Sequence, residues 1–454
     1  MRNLTSLALV CTLTTLACAD DDPNRTESYI GRIAPVLQQL QREQGFPMDF
    51  AHRGRLSVDD WRRRGREQVD EALSYSPRHV PLDVKYLSTV QKKGYKRHLI
   101  SFAGTEAYRV PAFLLVPEGR GPFPAIVALH DHGGYYYFGK EKIVEIENPH
   151  VSLVDYKQTY YGGRSYADEL ARRGFVVIVI DAFYWGDRKL TYQDPPKDYL
   201  RALSGLDPAT KEYVDAFNNF AEARCVDLNT DLAFAGLSWL GIVNYDDRRS
   251  IDVLESLPQV DKTRIGCIGL SGGGFRSTYL AGMDPRVKAA VIVGWMSTLP
   301  SILSIEHSTH GGLYDAIGLH RYLDHPDVAT LAAPECALFV EDCLRDRLFT
   351  RQGMEDADQK IRSVYTDLKH PERYQSRYYD VPHSFTIAMQ EDAFAWLEKW
   401  LKPADAHQGR LRASPIFRVT RWIVAGSLLR TDDPVERGGV PPFFILRDAM
   451  APGT

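Results

Sequence analysis

The chain has 454 residues, with 55 Lys and Arg against 59 Asp and Glu for a formal net charge of −4; 44% of residues are hydrophobic and 25% charged. With 34 Gly and 26 Pro, this balance excludes a disordered chain, a collagen-like repeat and a coiled coil. It also argues against a nucleic-acid partner, because no net positive field would gather a phosphate backbone.

In chain order, residues 1–19 come first. Arg2 precedes a mostly apolar Leu4–Ala17 run, and Ala17-Cys18-Ala19 offers an A-x-A cleavage site before three aspartates. That is the layout of a secretory signal peptide, too short for a membrane span, so the protein is expected to be exported. Leu16-Ala17-Cys18 also resembles a bacterial lipobox; a lipid on Cys18 would tether the protein to a membrane, whereas A-x-A cleavage would release it. Residues 20–95 read as a helical lead-in, with Ser57–Asp60 as a capping box opening a helix to Leu73. Its arginines alternate with Glu67, Asp70 and Glu71, as on a solvated face.

From residue 96 to 402, short apolar runs alternate with amphipathic stretches. Strands are expected at Leu99–Phe102, Ala112–Val116, Ala125–Leu129, Val176–Ile180, Ile265–Leu270, Ala289–Val293, Ala337–Val340 and Tyr374–Val381. Helices are expected at Ser165–Arg173, Asp246–Leu257, Phe275–Met283 and Gln352–Leu368, and after His383. Fully apolar strands such as Val176–Ile180 need both faces covered, which predicts an α/β domain with a mostly parallel sheet between helices. Residues 183–244 and 297–327 interrupt the alternation and read as lids or binding loops. Residues 403–454, with seven Arg, no Lys and six Pro, form a tail to which no chemistry is assigned.

Removing residues 1–19 leaves four cysteines: Cys225, Cys267, Cys336 and Cys343. Cys336 and Cys343 on one strand would sit roughly 23 Å apart, beyond disulfide reach. No C-x-x-C pair exists, so buried thiols are expected, and a bridge from Cys225 stays open. No metal and no cofactor are expected.

Gly269-Leu270-Ser271-Gly272-Gly273 matches G-x-S-x-G. The motif is short, but it directly follows an apolar strand and directly precedes a helix. A serine on such a turn is exposed at the sheet edge, and the Gly272 amide faces it at a helix N-terminus. Ser238 lies in a similar run without the second glycine or the preceding strand. A serine hydroxyl needs a base, and the base needs an orienting carboxylate. Asp346, just past Ala337–Val340, is the first candidate, with Glu341 and Asp342 as rivals. His383, between the last strand and the last helix, is the candidate base. A second oxyanion donor is expected from Leu129-His130-Asp131-His132-Gly133-Gly134, as the backbone N–H of His132 or Gly133. A metal reading of His130-Asp131-His132 lacks a third ligand at suitable spacing.

Together, Phe123–Gly134, Ile180-Asp181 with Gly186-Asp187-Arg188, and Gly269–Gly274 resemble bacterial α/β hydrolases, of the acetyl-xylan-esterase-like and dienelactone-hydrolase-like groups. The chain order Ser271, Asp346, His383 agrees with that fold. The resemblance spans about residues 57–402. It implies a serine esterase, structural roles for Asp181 and Arg188, and a pocket lined by Trp295-Met296. Dienelactone hydrolases use a cysteine nucleophile, which Ser271 replaces here.

The resulting expectation is an exported serine esterase acting on a small-molecule or carbohydrate ester, such as acetylated xylan, with Tyr135 and Trp185 placed to stack on sugar rings. Two rivals stand beside it. One is a serine peptidase of related fold, although residues 20–95 are too few for a propeller. The other is an inactive hydrolase-fold binding protein, which has no need of an ordered triad.

Overall fold

The computed structural model describes residues 30–303, 312–316 and 318–402. Residues 1–19, expected to be a signal peptide and holding Cys11 and Cys18, lie outside the described residues, as do His307, His310 and the tail 403–454.

Val176–Ile180 shows why these strands form. Val176, Ile178 and Ile180 face one core while Val177 and Val179 face another, and all five are buried. A strand apolar at every position satisfies both faces only between two helical layers. Nine strands share one sheet: β1 (Lys85–Lys92), β2 (Tyr95–Ala103), β3 (Arg109–Pro117), β4 (Phe123–Leu129), β5 (Val176–Ile180), β6 (Val260–Leu270), β7 (Val287–Val293), β8 (Ala337–Cys343) and β9 (Tyr374–Tyr379). Their order is β1-β2-β3-β5-β4-β6-β7-β8-β9. The pairs β1–β2, β2–β3 and β3–β5 are antiparallel; every pair from β5–β4 to β8–β9 is parallel.

One face packs on helices that include Val58–Leu73, Trp239–Ser256, Gly272–Met283 and Arg351–Asp367. The other carries Val151–Tyr161, Tyr166–Arg172 and Ile387–Leu401. A third cluster gathers Tyr136, Trp185, Phe217, Cys225, Trp239 and Leu313. It draws on both predicted insertions and on the loop after β4.

Three expectations change. Residues 85–95, expected within the helical lead-in, instead contain β1 and the turn into β2. β1 is mostly exposed, so it lacks the apolar alternation that reveals a strand. The segment 183–244 is largely helical, with Lys197–Leu203 and Lys211–Phe234 inside it. The helix expected from Asp246 starts at Trp239, because Ser238 Oγ caps it by accepting the Gly241 N–H at 2.9 Å. That assigns Ser238 an ordinary structural task.

The cysteines Cys225, Cys267, Cys336 and Cys343 are free and buried. Among the described residues no helix is long and apolar enough to cross a membrane.

Candidate active site

Ser271 sits between β6 and the helix Gly272–Met283 with φ 56° and ψ −121°. A non-glycine residue in the left-handed region is strained and persists only where its surroundings hold it. Here the Ser271 N–H donates to Val293 O at 2.8 Å, and its carbonyl accepts from Phe275 N at 2.8 Å. The glycines make the turn possible. A Cβ on Gly273 would collide with the Leu129 carbonyl, and one on Gly274 would sit 2.7 Å from Val293 O. The helix N-terminus therefore rests directly on the ends of β4 and β7.

Asp346 and His383 meet beside this turn. Asp346 caps its own loop, accepting the Leu348 N–H on Oδ1 at 2.9 Å. Its other oxygen accepts from His383 Nδ1 at 2.5 Å; the carboxyl is fully buried while the imidazole is 20% exposed. The rivals point elsewhere. Glu341 accepts the Tyr379 hydroxyl at 2.7 Å, and Asp342 is buried at the end of β8. Burial raises the pKa of both well above the usual carboxylate range. Gly294 links the two halves of the site. It follows Val293, which holds the Ser271 amide, and a Cβ there would lie 3.5 Å from the His383 ring.

The loop after β4 brings His132 against the same turn. The His132 backbone N lies 2.8 Å from where a Gly272 Cβ would stand. Gly133 and Gly134 follow at φ 59° and 60°, a reversal open to consecutive glycines. The His132 carbonyl is clamped by Trp185 Nε1 at 3.2 Å and Lys142 Nζ at 3.0 Å. The imidazole accepts the Gly134 N–H on Nδ1 at 3.0 Å, and Nε2 faces the Tyr136 hydroxyl at 3.3 Å. Burial pushes its pKa down to about 4, so the ring stays neutral and donates from Nε2. His130 has its Nδ1 on the Asp131 carbonyl and its Nε2 on the Ala182 N–H. Asp131 accepts from Tyr156 and Tyr161. With these groups engaged internally, the segment does not fit a metal site.

No family model matches the chain. It is 24% identical over 340 residues to YtaP of Bacillus subtilis (strain 168), a protein named as a hydrolase, covering 74% of this chain and 98% of that one. Among solved structures, a Bacteroides fragilis NCTC 9343 protein described as an acetyl xylan esterase superposes with a TM-score of 0.58 at 16% identity, over 77% of this chain and 84% of that one. The methylesterase BT1017 gives 0.51 at 15% identity, over 81% and 67%. The chain has the α/β-hydrolase fold.

Within this α/β-hydrolase fold, the residues expected to line the pocket take different places. Trp185 is 1% exposed, beneath His132 and stacked on Tyr136. It supports the His132 loop and presents no open face to a sugar ring. Trp295 is also buried, stacked at 4.5 Å on Tyr314, so its indole has no open face for a substrate. Tyr135 is half-buried and stacks on Tyr156. Asp181 is fully buried and binds the backbone N–H groups of Lys140 and Asp187; Arg188 reaches the Asp181 carbonyl and Asp246.

Glu141, Asp181 and Asp187 bring carboxylates together, but Lys140 Nζ lies 2.7–2.8 Å from all three. Burial opposes the lysine charge, yet these carboxylates outweigh it and raise its pKa. The amine fills the place a metal ion would take.

Two further residues stand close to this turn and to the His132 loop. The Tyr314 hydroxyl lies 3.1 Å from a Cβ position on Gly272. Glu222 Oε2 accepts the Tyr136 hydroxyl at 2.6 Å. Both belong to the insertions, where neither a motif nor a periodicity singles out one side chain. The arginine-bearing helix lies by a separate cleft of about 450 Å³, lined by paired charges such as Arg62 and Glu335 and by no serine, cysteine or histidine.

Proposed function

We propose that this protein is a serine esterase working through an acyl-enzyme, with Ser271 as nucleophile, His383 as base and Asp346 as its orienting carboxylate. The observation that carries the reading is the strained Ser271 backbone at a strand-to-helix turn, because such strain persists where function uses it. The His383–Asp346 hydrogen bond engages Nδ1, which leaves Nε2 for the serine proton.

Ser271 Oγ attacks the ester carbonyl as His383 takes its proton. The oxyanion forms against the amides of Gly272 and His132; removing one such donor typically costs about 10²–10³ in turnover. His383 then protonates the departing alkoxide, leaving the acyl group on Ser271. Water, deprotonated by His383, attacks that ester, and Ser271 departs with the proton. The substrates are small-molecule or carbohydrate esters, in keeping with the solved structures of similar fold, described as acetyl xylan esterase and methylesterase. Export is part of the same reading, supported by the charged start, apolar run and A-x-A of residues 1–19.

The test is an acyl-ester panel, including p-nitrophenyl acetate and acetylated xylan, on wild type and Ser271→Ala. A fluorophosphonate should label wild type at Ser271 and leave the variant unlabelled. Equal hydrolysis by both proteins refutes the mechanism; cleavage of peptide amides in preference to esters refutes the esterase assignment.

A further inference from the structure

Glu222 lies on the helix Lys211–Phe234, in the insertion between β5 and β6. Its Oε2 accepts the Tyr136 hydroxyl at 2.6 Å, and that hydroxyl in turn faces His132 Nε2 at 3.3 Å. Glu222 Oε2 is also 3.8 Å from where a Gly134 Cβ would stand. The carboxylate thus borders the loop whose His132 amide meets Gly272. The His132 ring, at 5.8 Å from the Tyr314 ring, bridges Glu222 to the tyrosine beside Gly272. Glu222 is half-buried, and among the described residues no Lys or Arg pairs with it. Among the described residues Oε2 takes the hydrogen bond and Oε1 has none. A carboxylate left without a cation at the rim of a site is an acceptor for hydroxyl groups and a repellent for anions.

We propose that Glu222 determines substrate class: Oε1 accepts a hydrogen bond from a hydroxyl of an uncharged polyol or sugar ester, and the charge disfavours esters bearing an anionic group near the reacting carbonyl. This rests on the esterase reading above. A hydrogen bond to a charged acceptor corresponds to roughly a 10–100-fold preference. The repulsion is partly exposed, so salt screens it.

The experiment measures kcat/KM on an acetylated methyl xyloside and on p-nitrophenyl hemisuccinate, for wild type and Glu222→Gln, each at low and high salt. The ratio of the two values is independent of the fraction of protein folded. Glu222→Gln should shift that ratio at least about tenfold toward the hemisuccinate, and should remove the wild-type gain in hemisuccinate hydrolysis at high salt. An unchanged ratio in an active enzyme, including an equal loss on both substrates, overturns this proposal alone. A wild-type protein inactive on every ester, and unlabelled by a fluorophosphonate, overturns the esterase reading and this proposal with it.

Discussion

Asp346 Oδ2 and His383 Nδ1 stand 2.5 Å apart, joining the loop after β8 to the loop after β9 across 37 residues of sequence. The carboxylate is fully buried and anchored by the Leu348 N–H, so it can hold only one tautomer of the ring. Asp346→Asn keeps the shape but can present N–H to Nδ1. On the proposed mechanism, turnover should fall about 10³–10⁴-fold with KM nearly unchanged, measured on p-nitrophenyl acetate. A fall below tenfold would exclude Asp346 as the orienting group.

Gly133 tests the loop that presents the His132 amide. Its φ of 59° suits glycine, and a Cβ there would collide with the Tyr156 hydroxyl. Gly133→Ala should therefore displace His132 and lower kcat by about 10²–10³, as expected for losing one oxyanion donor. Fluorophosphonate labelling should slow in parallel, and retained kcat would place the second donor elsewhere.

Arg276 and Asp247 form a buried, two-pronged ion pair at 2.6 and 3.0 Å, with side chains 1% and 0% exposed. Arg276 also donates to the His130 carbonyl at 3.2 Å, tying the helix Gly272–Met283 to the end of β4. Arg276→Met leaves Asp247 buried without its cation and should cost about 3–5 kcal/mol of stability, read by urea denaturation. The double variant Arg276→Met/Asp247→Leu should recover much of that loss.

Asp324 gives a pH-dependent stability. Burial, followed by the neighbouring Asp327 charge, pushes its pKa up to about 7 from an ordinary 3.8. Between those values the folded state holds a proton that the unfolded state has released. This contribution to stability is present below about pH 4 and is lost as pH rises toward 7. Asp324→Asn keeps an acceptor for the Leu299 and His325 N–H groups and removes the titration. The Tm of the variant relative to wild type should rise from pH 4 to pH 8; a flat difference would refute the linkage.

The central strands β4 to β8 were legible in the sequence because burial on two faces demands continuous apolar runs such as Val176–Ile180. β1 was not, since an exposed edge strand such as Lys85–Lys92 has no apolar face to declare itself. The Ser271 turn was legible for a related reason. Glycines at 269, 272, 273 and 274 are needed wherever backbone meets backbone, so strain and close packing leave a local signature.

What the sequence alone determined was the layered α/β class, the Ser271 turn and a short set of partners for it. Only the tertiary structure brings Asp346, rather than Glu341 or Asp342, within hydrogen-bond reach of His383. Only it assigned Trp185 to clamping the His132 carbonyl and brought Glu222 to the rim of the site. The reason is physical. Local backbone geometry and burial leave periodic marks in neighbouring residues, whereas a hydrogen bond between side chains 86 positions apart, as from Tyr136 to Glu222, leaves none.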